Sequence, residues 1–159
     1  MKTVLITGAG TGFGHEVAMR LALKGFDVIA AVEVYAQVQT LKREAAARGV
    51  TLRVAKLDVT NEGDRTKALA WNVEILVNNA GVLEGGSVWV SSREGLNVNP
   101  FTGIYSASKH AVEAIAETMS LELREFGIEV ATINPGPFLT GFNDRGFETW
   151  KSWEDDPSR

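Results

Sequence analysis

The sequence has 159 residues, a length typical of one domain with its own hydrophobic core. Apolar residues make up 45% of the chain, and sixteen basic residues stand against twenty acidic ones, so the formal net charge is −4. This balance argues against a nucleic-acid partner, and a chain without cysteine has no disulfide, thiolate metal site or cysteine nucleophile. No apolar run approaches a membrane span, and MKTVLITGAG is a poor signal peptide, so a cytoplasmic location is the default.

The predicted strands are short apolar runs of the kind that lie buried in a parallel sheet. They cover residues 2–7, 27–32, 51–59, 74–81, 87–92 and 128–134. Between them we predict a helix that stops at Gly25, one that stops at Gly49, a short one that ends at Trp71 and a long one over Ile104–Phe126. Strands that alternate with helices indicate an α/β fold with a doubly wound, Rossmann-like parallel sheet, in a single domain over residues 1–159.

The stretch TGAGTGFG, residues 7–14, joins the first strand to the first helix. Gly8 can take the tight turn, Gly12 lets a ligand approach and Gly14 lets helix and strand pack closely, so that backbone N–H groups face a pyrophosphate. The spacing differs from the common G-x-G-x-x-G fingerprint, because Phe13 stands where the last glycine would be. For this motif alone, a glycine-rich turn without a ligand stays an alternative.

The stretch YSASK places Tyr105 and Lys109 four residues apart at the start of the long helix, so both side chains project from one face. A cation beside a phenol favours the phenolate, and such a tyrosine can pass a proton to or from an alcohol oxygen near neutral pH. A solvated helix face is the alternative for this pair. Ser92 ends a predicted strand, where its hydroxyl could bind the reacting oxygen opposite the tyrosine or serve only in a turn.

Taken together, these stretches resemble the short-chain dehydrogenase/reductase family in its compact, single-domain form. The matches follow the family's order and cover nearly the whole chain: TGAGTGFG at 7–14, LDVT at 57–60, NNAG at 78–81, Ser92, YSASK at 105–109 and NPGPFLT at 134–140. The resemblance implies an oxidoreductase that transfers a hydride between a nicotinamide cofactor and a small-molecule alcohol or carbonyl substrate. It also implies a homo-oligomer in the complete protein.

The resemblance assigns roles to individual residues. Tyr105 would be the acid/base, Ser92 would hold the substrate oxygen, and Lys109 would favour the phenolate and bind the nicotinamide ribose. The cofactor would contact Gly8, Gly10, Thr11, Gly12, Phe13, Gly14, Glu33, Asp58, Val59, Asn79, Ala80, Gly81, Tyr105, Lys109, Pro135, Gly136, Phe138 and Thr140. In this set, residues 58–59 would flank the adenine, residues 79–81 would line the middle of the cofactor, and the turn at 135–140 would hold the carboxamide.

The choice between NAD and NADP depends on the end of the second strand, where the adenosine ribose lies in such folds. NAD-dependent members of the family typically have an Asp at the position of Val32, and many NADP-dependent members have an Arg at the next one, which is Glu33 here. A carboxylate accepts from the ribose 2′-hydroxyl but repels a 2′-phosphate, and no Arg or Lys lies between Lys24 and Lys42. We therefore predict NAD rather than NADP. A Glu33 that points to solvent is the alternative.

The connection VLEGGS departs from the family. In the family, the strand that ends in NNAG and the strand that ends at the catalytic serine are parallel neighbours, with a long helical excursion between them. Parallel neighbours need a crossover of at least about ten to twelve residues, whereas a hairpin through Gly85 and Gly86 would put Ser92 at the wrong end of the sheet. We expect that the sequence omits a helical segment near residues 87–89, with the Asn of the family's proton relay, and also the family's C-terminal end.

Two rivals to the dehydrogenase are a cofactor-binding regulator or pseudoenzyme without turnover, and a non-redox relative such as an epimerase. Loss of Tyr105 or Lys109 would favour the first, and both are present; the second usually has a different glycine spacing. A group of aromatic residues could form a lid over an apolar substrate or pack on the scaffold: Phe138, Phe142, Phe147, Trp150 and Trp153. His15 and His110 lack metal-ligand spacing, so no metal is expected.

Overall fold

The computed structural model describes residues 1–81, 95–97 and 103–136. The chain divides into two compact units, Met1–Ala80 and Gly81–Arg159. The predicted strand 87–92 and the connection before it lie outside the described residues. The omitted segment and the single domain over residues 1–159 therefore stay predictions.

Four parallel strands form the sheet of the first unit. They are β1 (Thr3–Ile6), β2 (Asp27–Val32), β3 (Arg53–Lys56) and β4 (Ile75–Val77), in the order β3-β2-β1-β4. The register places Thr3 opposite Asp27 and Ile29 opposite Arg53. Because all four strands run the same way, their carboxyl ends share one edge of the sheet, where open α/β sheets bind ligands. The predicted Rossmann-like parallel sheet is confirmed.

Helices connect these strands, and their apolar spacing explains where they pack. They are α1 (Gly12–Leu23), α2 (Tyr35–Ala47) and α3 (Glu62–Ala68), the last followed by a 3₁₀ turn over Leu69–Trp71. In α2 the buried residues are Val38, Leu41 and Ala45, which recur every three or four residues and so form one apolar stripe. α1 stops where the sequence predicts, because Gly25 has a positive φ and the N–H of Phe26 then donates to the carbonyl of Leu21 at 3.1 Å.

Both faces of the sheet are covered. Successive strand residues point to opposite faces, so one core contains Val4 and Ile6 of β1 with Ala18 and Met19 of α1, and it continues into the apolar stripe of α2. The opposite core contains Leu5, Ile29, Ala31 and Leu57, packed against Ala68, Trp71 and Val73 around the end of α3. Cores on both faces are the property that defines a doubly wound sheet.

The described part of the second unit is dominated by α4 (Gly103–Leu123) and a 3₁₀ turn over Arg124–Phe126. The predicted strand over residues 128–134 is wrong, because this segment has no strand assignment. A strand requires a neighbour with which its backbone can form a ladder, and no neighbour is described for it. Over the described ranges, no helix combines the length and the apolar character that a membrane crossing requires.

Candidate active site

The glycine turn after β1 is tied to the end of β4 by side-chain hydrogen bonds. The Oγ1 of the buried Thr7 accepts from the backbone N–H groups of Asn79 and Ala80, each at 3.0 Å. In return, the Asn79 amide Nδ2 donates to the carbonyl oxygens of Thr7 at 3.0 Å and Gly8 at 3.2 Å. The amide of Asn79 thus holds the turn, which is a supporting role beside the cofactor-lining role that the resemblance implies.

The glycine turn and the end of β4 approach so closely that two positions must be glycine. A Cβ atom on Gly8 would lie 2.6 Å from the Cα of Ala80, and the φ of Gly8 is +64°. A Cβ atom on Gly14 would lie 2.3 Å from Nδ2 of Asn79 and 2.7 Å from the carbonyl oxygen of Gly8. Both distances are far below van der Waals contact. The motif therefore packs β1, α1 and the end of β4 together, as its spacing predicts.

Gly12 differs from these two glycines because no described residue fills the space beside it. A Cβ atom built there would meet no atom of residues 1–81, 95–97 or 103–136 within 4 Å. Gly12 is the first residue of α1, and the N-cap residue Thr11 makes no side-chain capping bond to the helix. Thr11 and Phe13 are both exposed. A helix start that its N-cap side chain does not occupy suits an anionic group such as a pyrophosphate.

The end of β2 lies beside the glycine turn. The N–H of Ala9 donates to the carbonyl of Ala31 at 2.8 Å, which holds the turn against this strand. Val32 is fully buried, whereas Glu33 is exposed directly after it. On the other side of the turn, the side-chain amide of Gln37 from α2 lies against Gly10. Glu33, which is predicted to accept a hydrogen bond from the ribose, is therefore exposed at the end of β2.

The turn after β3 contains Asp58 and Val59, which the resemblance places beside the adenine. The Oδ1 of Asp58 accepts from the hydroxyl of Thr60 at 2.6 Å and from its backbone N–H at 2.9 Å. The Thr60 hydroxyl, with a smaller contribution from its N–H, lowers the pKa of the Asp58 carboxyl. Val59 is exposed. The carboxylate of Asp58 thus shapes its own turn, and the apolar side chain of Val59 is the more accessible of the two.

Asp64 of α3 supports this turn and was not predicted from the sequence. Its Oδ2 accepts from the backbone N–H of Asp58 at 3.1 Å and from the ammonium of Lys56. The N–H of Asp64 is capped in turn by the side chain of Asn61 at 3.1 Å. The Lys56 ammonium is the main cause that lowers the pKa of the Asp64 carboxyl. The available signal was the Asn61-to-Asp64 spacing, which is typical of a helix start with an acidic residue at its third position.

Tyr105 and Lys109 lie one turn apart on α4 and are in contact. The Nζ of Lys109 lies 5.2 Å from the centre of the Tyr105 ring, within the range of a cation–π interaction. Lys109 is only 2% exposed, although Lys is among the residues that are least often buried. This burial lowers the pKa of Lys109 to about 8. The predicted pairing on one helix face is present, and the solvated-face alternative does not describe Lys109.

Other predicted site residues of the second unit are only partly described. Pro135 and Gly136 are half-buried, and Gly81 is exposed. Among the described residues, neither the buried Oδ1 of the neighbouring Asn134 nor the buried Oε1 of Glu113 on α4 has a hydrogen-bond partner. The Oε2 of Glu113 accepts from the Thr132 hydroxyl at 3.0 Å. Ser92, Phe138 and Thr140 lie outside the described residues, so their roles stay predictions. Within the described ranges, no three His, Asp or Glu side chains form a group that could hold a metal ion.

A model of the short chain dehydrogenase family matches residues 2–89 and 83–150 of the sequence. The chain belongs to the short-chain dehydrogenase family. The two matched segments overlap at residues 83–89. The chain therefore matches the family model as two separate alignments and not as one continuous alignment.

The chain is similar to curated relatives that are longer than itself. Retinol dehydrogenase 8 of Homo sapiens is 31% identical over 190 residues, which takes in 91% of this chain and 61% of that protein. The 17-beta-hydroxysteroid dehydrogenase type 6 of Rattus norvegicus is 32% identical over 206 residues, with 98% of this chain and 64% of that protein covered. The chain thus spans less than two thirds of the length of these relatives. Both alignments exceed 159 positions, so each relative has residues for which this chain has no counterpart.

Among solved structures, the chain resembles a short-chain dehydrogenase from Sphingobium yanoikuyae in complex with NADPH. The TM-score is 0.77 at 23% identity, and the match covers 92% of this chain and 75% of that one. At this identity the likeness shows the shared fold.

Proposed function

We propose that this chain belongs to an oxidoreductase that transfers a hydride between a nicotinamide cofactor and an alcohol or carbonyl substrate. The observation that carries the proposal is the buried Lys109 with its ammonium against the Tyr105 ring. Burying a lysine without a role is costly, and such groups concentrate at functional sites. Membership of the short-chain dehydrogenase family supports the same chemistry.

The glycine turn would hold the cofactor. Its fit is supported by the space at Gly12, which no described residue fills, and by the start of α1, where the side chain of Thr11 makes no capping bond. Val59 would lie against the adenine and Glu33 against its ribose, with Ala80 and Gly81 along the middle of the cofactor. When bound, the nicotinamide supplies or accepts the hydride. The protein supplies orientation and the path of the proton.

Tyr105 would move that proton. As an acid it gives its phenolic proton to a carbonyl oxygen of the substrate, and as a base it takes the proton from an alcohol. The nearby ammonium of Lys109 favours the phenolate that the reaction leaves behind. Ser92 would hold the substrate oxygen, and Pro135, Gly136, Phe138 and Thr140 would hold the carboxamide.

We propose NAD as the preferred cofactor. The support is the exposed carboxylate of Glu33 directly after the buried end of β2, with no Lys or Arg from residue 25 to residue 41. A 2′-phosphate placed there would meet a like charge, whereas a 2′-hydroxyl would meet an acceptor.

The substrate we propose is an apolar alcohol or ketone. The relatives named above are, by name, dehydrogenases of retinol and of 17-beta-hydroxysteroids, both largely hydrocarbon. The aromatic residues after the turn at 135–140 lie outside the described residues but would suit such a molecule. A panel of short polar and long apolar alcohols tests this, and a preference for the polar members would contradict it. A cytoplasmic location and a homo-oligomeric complete protein stay predictions.

The Tyr105→Phe variant tests the proposed chemistry. It removes only the hydroxyl, so turnover should fall by about a hundred- to ten-thousand-fold while the affinity for NADH stays near that of the wild type. Tyr35→Phe is the matched control, because Tyr35 is the only other tyrosine and is exposed. Turnover and NADH affinity are measured for both variants. If Tyr105→Phe retains the wild-type kcat, Tyr105 is not the acid/base; if the wild type binds NADH but turns over no alcohol or carbonyl, the chain is a cofactor-binding regulator instead.

A further inference from the structure

The side chain of Gln37 lies directly on the glycine turn. A Cβ atom on Gly10 would lie 2.8 Å from Nε2 of Gln37 and 2.9 Å from its Cδ, so the amide occupies the space beside Gly10. Gln37 is in the first turn of α2 and is half-buried. The helix α2 thus places a polar group beside the glycine turn that follows β1.

The orientation of this amide is fixed by the backbone. The N–H of Val34 donates to Oε1 of Gln37 at 3.3 Å, and only the oxygen of an amide can accept that hydrogen. Nε2 is therefore the amide atom nearest to a Cβ position on Gly10, at 2.8 Å against 3.2 Å for Oε1. In the described ranges of the chain, Nε2 has no hydrogen-bond acceptor, although it carries two N–H donors.

From this geometry we infer that Nε2 of Gln37 donates to a hydroxyl of the adenosine ribose, and that Gln37 is a specificity-determining residue of the cofactor site. The inference rests on the proposed function. A ribose diol offers both donors and acceptors, so Glu33 can accept from one hydroxyl while Gln37 donates to the other. The bond between the Ala9 N–H and the Ala31 carbonyl holds the glycine turn against β2, the strand that Glu33 directly follows.

A purely local role for Gln37 makes a different prediction. At the third position of a helix, Gln and Glu both accept from the N–H of the capping residue, so a glutamate would serve α2 equally well. The helix cap therefore accounts for Oε1 of Gln37 and leaves Nε2 without a function. Gln37→Glu keeps the acceptor for Val34 and removes the donor that faces Gly10, which separates the two roles.

The test compares Gln37→Glu and the uncharged Gln37→Met with Gln39→Glu, which makes the same charge change at an exposed site of the same helix. Binding of NADH, ADP-ribose and nicotinamide mononucleotide is measured by calorimetry. Both Gln37 variants should bind NADH and ADP-ribose more weakly, by about tenfold for Met and more for Glu, because a hydrogen bond to the ribose is lost. Nicotinamide mononucleotide, which lacks adenosine, should bind each variant as it binds the wild type, and Gln39→Glu should bind all three ligands unchanged.

The outcomes separate this inference from the proposed function. If the wild type binds NADH and both Gln37 variants bind it equally well, the inference fails and the proposed function stands. If only Gln37→Glu is weakened, added charge explains the result and the inference also fails. If the wild type does not bind NADH at all, the proposed function fails and the inference fails with it. Thermal unfolding of each variant shows whether a change in affinity comes from a loss of folded protein.

Discussion

Lys109 is the least exposed charged side chain among the described residues, at 2%. Its spacing from Tyr105 is visible in the sequence, but its burial is not, because a helix face with a Tyr and a Lys is compatible with solvent or with a core. The pKa of about 8, lowered by burial, shows that the fold favours the uncharged amine more than water does. At neutral pH the ammonium is therefore closer to its titration point than that of a solvent-exposed lysine.

The burial of Lys109 predicts a pH dependence of stability. Below pH 8 both the folded and the unfolded chain hold the proton, and above pH 10.5 neither does. Between these values the unfolded state binds more protons, so the free energy of unfolding rises with pH. Relative to Lys109→Met, the wild type should gain on the order of 2 to 3 kcal/mol from pH 7.5 to 10.5. Urea unfolding across this range measures the gain, and the exposed Lys42→Met is the control. If the free energy of unfolding changes with pH in the same way for the wild type and Lys109→Met, the ammonium is solvated.

The proposed role of Glu33 predicts that its replacement by arginine changes the cofactor preference. Glu33→Arg replaces a like charge by an opposite one at the expected 2′-phosphate, so NADPH should bind more tightly and NADH more weakly. The ratio of the two dissociation constants should shift by on the order of a hundredfold, or about 3 kcal/mol. Fluorescence titration with each cofactor measures the ratio, with the exposed Glu125→Arg as the control. A wild type that binds NADPH as tightly as NADH would contradict the assignment to Glu33.

At the scale of the elements, the strands and helices of the first unit lie where the sequence predicts them, but the observed strands are shorter than the predicted ones. The third strand is predicted over residues 51–59, but the ladder ends at Lys56, opposite Val32, because β2 ends there and offers no further partner. Strand length is thus set by the neighbour, and this information is not contained in the apolar run itself. The same limit explains the wrong strand over residues 128–134, while the helix stop at Gly25 was readable because it depends on local backbone chemistry.

The ion pair between Asp64, at the start of α3, and Lys56 predicts that the fold loses stability in acid. The Lys56 ammonium lowers the pKa of Asp64 below 3.8, so the ionised carboxyl stabilises the fold above that pH, and the contribution is lost as the pH falls through the lowered value. Asp64→Asn should therefore lower the urea midpoint at pH 7, and its difference from the wild type should shrink as the pH falls below 3.8. Glu62→Gln, an exposed change in the same helix, is the control. A difference that stays constant with pH would exclude the ion pair as the cause.

On the scale of the whole molecule, the two units differ in how much the sequence could predict. The first unit contains a complete set of local signals, namely apolar runs, a glycine motif and helix stops, and its fold was predicted correctly. The contact of Lys109 with the Tyr105 ring follows from their spacing on one helix, while their catalytic roles stay predictions. The contacts of Asp64 with the Asp58 backbone and of Gln37 with Gly10 were not predicted, because the sequence does not show that these turns are close.

The family match in two overlapping segments supports the proposal that the chain lacks an internal segment near residues 87–89. Inserting after Val88 the residues that retinol dehydrogenase 8 has at that place should raise turnover by about tenfold or more, because the catalytic groups would then be positioned by a full crossover. The control is a Gly-Ser linker of equal length at the same site. Equal turnover with both insertions would contradict the proposal.

The bonds between Thr7 and Asn79 join residues that are 72 positions apart in the chain. A contact of such long range closes only after the intervening chain has been made and has folded. During synthesis, β1 and α1 therefore leave the ribosome well before β4, and the carbonyls of Thr7 and Gly8 have no amide of Asn79 to bind until about 72 more residues have followed. The glycine turn is thus translated long before the strand that completes its shape.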